Sequence, residues 1–203
     1  MQPHIHPLVV RLSHWITAFA VITMMLSGWQ IYNASPIFAF RFPPSITLGG
    51  WLAGAIAWHL AAMWFLIFGF TVYLLYGLLS GRFRSRLLPI HPRAVLRDLR
   101  LALTFKLPHE RGVYNAVQRL FYLGVIAAIA GVIASGFAIW KPVQLAPLTA
   151  FLGGYNAARV VHFLCMSAIA AFLLVHLILV ILVPRVLPTM ITGGRAVIGG
   201  ASE

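Results

Sequence analysis

Four histidines stand inside long apolar stretches of this sequence: His14, His59, His162 and His176. Imidazole nitrogens ligate metals and carry protons, and an ionisable side chain inside a membrane span is costly enough to be read as functional. Two of the four share one stretch, YNAARVVHFLCMSAIAAFLLVHLILVILV, at residues 155–183. In a helix, His162 and His176 are separated by just under four turns, so both rings leave nearly the same face, about 21 Å apart along the axis. Two imidazoles at two depths on one face imply two stacked metal centres, each needing a partner from another helix.

The elements that must position them follow from composition. The chain has 203 residues, 61% of them hydrophobic and 9% charged, against about 25% charged in ordinary globular domains. Four stretches are long enough to cross a bilayer, at about 10–32, 47–79, 113–140 and 156–183, and the second is long enough to tilt or project. The apolar run from Leu8 is too long for a signal peptide and lacks a small-residue cleavage site. The expected fold is an all-α integral membrane four-helix bundle.

Charge sets its orientation. The loop after the second span carries Arg82, Arg84, Arg86, Arg93, Arg97, Arg100, Lys106 and Arg111. With Arg11, Arg119, Arg185 and Arg195, twelve of fifteen basic residues fall on one side, leaving Arg41, Lys141 and Arg159 on the other. The positive-inside rule places both termini and the basic loop in the cytoplasm. The net charge of +12 is thus an orientation signal and not a nucleic-acid surface. Within the loop, RAVLRDLRLALTF reads as a short amphipathic helix with Arg93, Arg97 and Arg100 on one face and Leu96, Leu99 and Leu103 on another, suited to the bilayer interface. Trp29, Trp51, Trp58, Trp64 and Trp140 read as interfacial anchors or packing.

Depth then pairs the histidines. His14 enters from the cytoplasm, His59 and His162 lie in the outer half, and His176 lies in the inner half. The pairs are His14 with His176 and His59 with His162, with no remainder. Two imidazoles across two helices suit haem iron, which takes axial ligands on opposite faces of its macrocycle. Zinc wants three or four protein ligands, and the three acidic residues, Asp98, Glu110 and Glu203, all lie in the loop or tail. The lack of intramembrane carboxylates and of an inverted repeat also argues against a proton-coupled transporter. The lone Cys165 excludes internal disulfides and covalent C-x-x-C-H haem attachment. His4, His6, His91 and His109 fall outside the spans and read as solvated or interfacial. Arg11 and Arg159, next to the two pairs, could meet haem propionates. Gly28, Gly69, Gly131 and Gly136 leave room for a flat macrocycle or for close helix packing.

RLSHWITAFAVITMMLSGWQIY, AWHLAAMW and the VVH-x13-H helix resemble the four-helix di-haem cytochrome b family, the bacterial cytochrome b561-type group. That group includes the membrane subunits of formate dehydrogenase-N, Ni/Fe hydrogenase and thiosulfate reductase. The resemblance covers nearly the whole chain and implies a single di-haem cytochrome b domain over residues 1–203, with two non-covalent haem b groups held by the same two pairs. YNAVQR at 114–119 resembles a formate dehydrogenase element beside a menaquinone site, which implies that Asn115 and Gln118 contact quinone. The implied role is an electron relay in the bacterial inner membrane, between the quinone pool and a periplasmic redox protein or molybdoenzyme. The chain has no recognisable long extension for a dedicated partner, so a stand-alone superoxide:quinone or metal reductase of the same fold stays open. A non-redox membrane protein whose histidines only pack is the third reading.

Overall fold

The computed structural model describes residues 6–104, 114–184 and 187–194, with the side chains of 102 and 103 excepted. His4, Lys106, His109, Glu110, Arg111, Arg185, Arg195, Glu203 and the Leu103 side chain lie outside the described residues. Four long helices match the expected spans: α1 (Leu8–Ala34), α2 (Leu52–Leu79), α5 (Ala116–Trp140) and α7 (Tyr155–Leu182). Short helices join them: α3 (Arg82–Arg86) and α4 (Pro92–Leu103) between α2 and α5, α6 (Ala146–Phe151) before α7, and α8 (Leu187–Thr192) after it.

Local chemistry decides the helix ends. The second span begins at Leu52 and not at 47. Pro44–Ile46 make a 3-10 turn, and Gly49 and Gly50 take φ of +107° and +70°, values that side-chain-bearing residues rarely adopt. Residues 47–51 are apolar enough to extend the span on hydropathy alone, but their backbone turns. α5 begins with a capping box: the Asn115 side chain accepts from the Gln118 N–H at 2.8 Å, and the Gln118 side chain accepts from the Asn115 N–H at 3.2 Å. α7 follows Gly153 and Gly154, both at positive φ.

The expected amphipathic helix is α4, latched to the start of α5. Asp98 accepts from the Ala116 N–H at 2.9 Å and from Arg97 Nε at 3.0 Å. The helix-end N–H bond, aided by Arg97, holds the Asp98 carboxyl below the usual carboxylate range. Asp98 is buried, whereas Leu96 and Leu99 on the same helix stay 58% and 42% exposed, a face free for the interface.

α1 packs along α2, and α5 along α7. The two hairpins close into a square. α1 meets α7 where Tyr32 packs on Phe163, ring centres 5.2 Å apart, and α2 meets α5 where Trp64 meets Trp140 at 6.3 Å. The core between them, Ala20, Met25, Leu66, Phe70, Ile129, Val132 and Ile169, draws on all four long helices. Much of the remaining apolar surface faces outward, as a bilayer requires: Ile181 and Leu182 on α7 are 75% and 69% exposed. One end of the bundle carries Arg11, the α3 and α4 arginines and Arg119; the opposite end carries Arg41, Lys141 and Arg159.

Candidate functional site

The square brings the four histidines together in two pairs. His14 and His176 have ring centres 6.2 Å apart and planes at 66°; His59 and His162 are 6.3 Å apart at 59°. An imidazole nitrogen sits about 2.0 Å from a bound metal and about 1.1 Å from its own ring centre, so two rings flanking one metal have centres about 6.2 Å apart. Both gaps fit a single metal atom. Among the described residues no group of three or more His, Cys, Asp or Glu could hold a metal. A metal held by either pair would take its remaining ligands from outside the described residues, as the four ring nitrogens of a haem would supply.

The pair far from the basic end is built twice over. Ser27 on α1 lies 3.2 Å from His59 Nδ1, and the Met24 carbonyl lies 3.0 Å from the same nitrogen. Ser135 on α5 lies 3.2 Å from His162 Nδ1. Each serine donates its own proton down its helix, Ser27 to the Thr23 carbonyl at 2.7 Å and Ser135 to the Gly131 carbonyl at 2.6 Å. Each serine oxygen is thus left to accept, and the Met24 carbonyl can only accept, so Nδ1 is the protonated nitrogen. That tautomer leaves Nε2 as the bare lone pair, the state in which a histidine ligates. The next residue in each case is glycine. A Cβ on Gly28 would stand 3.3 Å from His59 Cε1, and one on Gly136 would stand 3.2 Å from His162 Cε1, so glycine lets each ring press against the neighbouring backbone.

The pair nearer the basic end lacks such support. His14 meets Trp15 edge-on at 5.4 Å, and Phe172 stacks on His176 at 5.8 Å, but these are ring contacts and not hydrogen bonds. Arg11 lies one turn before His14 and donates to the Ile191 carbonyl of α8. Its Nε and the Trp29 Nε1 are the two buried side-chain polar atoms without a partner among the described residues. A buried donor left unpaired is costly, and these two, one toward each end, fit a cofactor that brings acceptor oxygens. Arg159 donates to the Ser35 carbonyl and hydroxyl at the end of α1. Asn115 and Gln118 spend their amide oxygens on the capping box. His6 is half-buried, and burial with the nearby Arg82, Arg86 and Arg11 pushes its imidazole below the usual range; His91 is exposed.

Sequence reasoning missed Ser27 and Ser135, although a signal was present. SGWQIY at 27–32 and SGFAIW at 135–140 are the same pattern. Counted from their first residues, α1 and α5 align Arg11 with Arg119, His14 with Tyr122, and Ser27-Gly28 with Ser135-Gly136. α2 and α7, each 28 residues long, align His59 with His162 and Tyr73 with His176. The two hairpins run in the same direction, so they are related by rotation about the bundle axis and not by inversion. The His59–His162 pair is made of equivalent residues; the His14–His176 pair is not.

The family of prokaryotic cytochromes b561 matches residues 5–193. A protein of Azospira oryzae named "Putative protein-methionine-sulfoxide reductase subunit YedZ1" is 49% identical over 190 residues, covering 93% of this chain and 96% of that protein. The four apolar helices and this family fit a multi-pass protein of the bacterial inner membrane, and the family implies haem b. The chain belongs to the prokaryotic cytochrome b561 family.

Proposed function

We propose that the chain carries two haem b groups, one between His14 and His176 and one between His59 and His162, and relays electrons across the membrane. The observation that carries this reading is the spacing of the two pairs, 6.2 and 6.3 Å, each suited to one iron. Haem b, where bound, supplies reversible one-electron chemistry. The chain's residues supply the axial nitrogens and their tautomer, and an apolar surround that limits water at both pairs. Arg11 Nε and Trp29 Nε1 are then donors for propionate oxygens, one at each pair. Arg159 has its guanidinium turned to Ser35 and is the weaker candidate for that role.

The basic end faces the cytoplasm on this reading, and a membrane quinone would bind there beside the His14–His176 pair, which would hold the inner haem. The amide nitrogens of Asn115 and Gln118 remain as donors for a quinone carbonyl. At the opposite, periplasmic face a soluble oxidoreductase docks. The name of the Azospira relative supports a partner of the methionine-sulfoxide reductase kind. At that face Lys141 lies over the Trp140 ring at 4.8 Å and Arg159 donates to Ser35, so two of the three outer cations are engaged within the chain, which favours the docked-partner reading over the stand-alone one. A pyridine-haemochrome count on the purified chain tests the reading, followed by reduction with a soluble quinol in nanodiscs. Two haems per chain, both reduced by quinol, are expected; one haem, or two that quinol leaves oxidised, would contradict it.

A further inference from the structure

The rotation that relates the hairpins gives the basic half of the bundle two equivalent edges. At the α1/α7 edge stand Arg11, His14 and His176; at the α2/α5 edge the matching residues are Arg119, Tyr122 and Tyr73. The second edge therefore carries two phenols where the first carries two imidazoles. Resting on the quinone reading above, we propose that Tyr73 and Tyr122, joined by Tyr114, bind the head group of a membrane quinone at the α2/α5 edge.

The surroundings are those of a flat, neutral ring. Tyr114 packs edge-on against Tyr122 with centres 5.0 Å apart, and Tyr73 and Tyr114 both lie within electrostatic range of Tyr122. α3 folds back on the end of α2 so closely that a Cβ on Gly77 would fall 2.3 Å from the Phe83 ring. That fold sets Phe83 beside Tyr73 at 5.4 Å. Aromatic walls favour another aromatic ring. All three tyrosines are half-buried, yet none of their hydroxyls has a hydrogen-bond partner among the described residues. These hydroxyls are not fully buried, so each is open to a ligand arriving from the bilayer, and quinone carbonyls are acceptors that phenol donors match. An anionic headgroup is the competing ligand: Arg119 donates to the Tyr114 carbonyl at 3.0 Å and the Pro89 carbonyl at 3.2 Å and Arg82 lies near Tyr73, but the three phenols and Phe83 present rings rather than a cluster of cations. The capping amides of Asn115 and Gln118 stand at the start of the same helix, so this site extends theirs deeper into the membrane.

The test uses the haem-loaded full chain in nanodiscs and follows quenching of 2-heptyl-4-hydroxyquinoline N-oxide fluorescence. Tyr73→Phe and Tyr122→Phe keep the rings and remove one donor each. Each is expected to weaken probe binding about three- to tenfold, with the haem spectrum unchanged as the check on folding. Menadione should displace the probe, and phosphatidylglycerol should not. Wild-type affinity in both variants would overturn this placement while leaving the quinone reading standing. Displacement by phosphatidylglycerol would overturn it in favour of a lipid headgroup. A wild-type chain that binds no probe would overturn the quinone reading itself.

Discussion

The two imidazole pairs span almost the same gap, yet they are held in different ways. At the pair far from the basic end, the outer pair in the proposed orientation, each ring has a serine oxygen on its Nδ1 and a glycine under its Cε1, and the two halves are copies of each other. At the inner pair the rings come from non-equivalent positions, and aromatic neighbours are their main restraint. A ligating histidine whose second nitrogen donates to an oxygen is fixed in orientation and made more basic. The outer pair is therefore the preorganised one, and the inner pair the adjustable one. Under the proposed relay, the difference suits an inner centre that would deal with a small exchangeable molecule and an outer centre that would present a fixed geometry to a partner protein.

The largest difference between the two pairs should appear when the glycines are replaced. Gly28→Val with Gly136→Val puts branched side chains where even a Cβ stands 3.3 and 3.2 Å from the rings. The expected outcome is loss of most of the outer haem with the inner haem retained, read from the reduced-minus-oxidised spectrum. Equal loss at both sites would show that the two pairs are not independently built.

A smaller effect should follow from the serines. Ser27→Ala with Ser135→Ala removes one acceptor from each outer Nδ1 while the Met24 carbonyl stays. Less basic ligands favour ferrous iron, so the outer midpoint potential should rise by about 20–60 mV and the inner one should stay unchanged. Spectroelectrochemical titration of the two haems checks this.

The smallest effect concerns the latch near the inner pair. Asp98→Asn weakens the bond to the Ala116 N–H and should cost about 1 kcal/mol at neutral pH. Because the folded Asp98 carboxyl titrates below its unfolded value of about 3.9, its contribution is present above that pH and fades as pH falls through the folded pKa. Thermal melts of wild type and variant should differ at pH 7 and converge in strong acid. Hydrogen exchange at residues 92–101 would localise the change to α4.

Much of this was legible in the sequence, for physical reasons. Long apolar runs fix the spans, and a histidine's depth follows from the direction of its helix, so the pairing needed no coordinates. The start of α2 was not legible from hydropathy, because residues 47–51 are apolar and only the positive φ of Gly49 and Gly50 turns them out of the helix. α6 and α8 are too short to leave a periodic signal. Asn115 and Gln118 resembled a quinone contact, but the three-residue spacing of the two amides also spells a capping box, and their oxygens are used that way. Ser27 and Ser135 were not legible singly, because small residues in spans commonly serve helix packing; the repeated Ser-Gly-aromatic pattern marks them.

The most direct measurement is the haem content and difference spectrum of the four single variants His14→Ala, His59→Ala, His162→Ala and His176→Ala. His14→Ala and His176→Ala should lose the same haem, His59→Ala and His162→Ala should lose the other, and each variant should keep one. Loss of different haems by His14→Ala and His176→Ala, or a full complement in any of the four, would contradict that pairing.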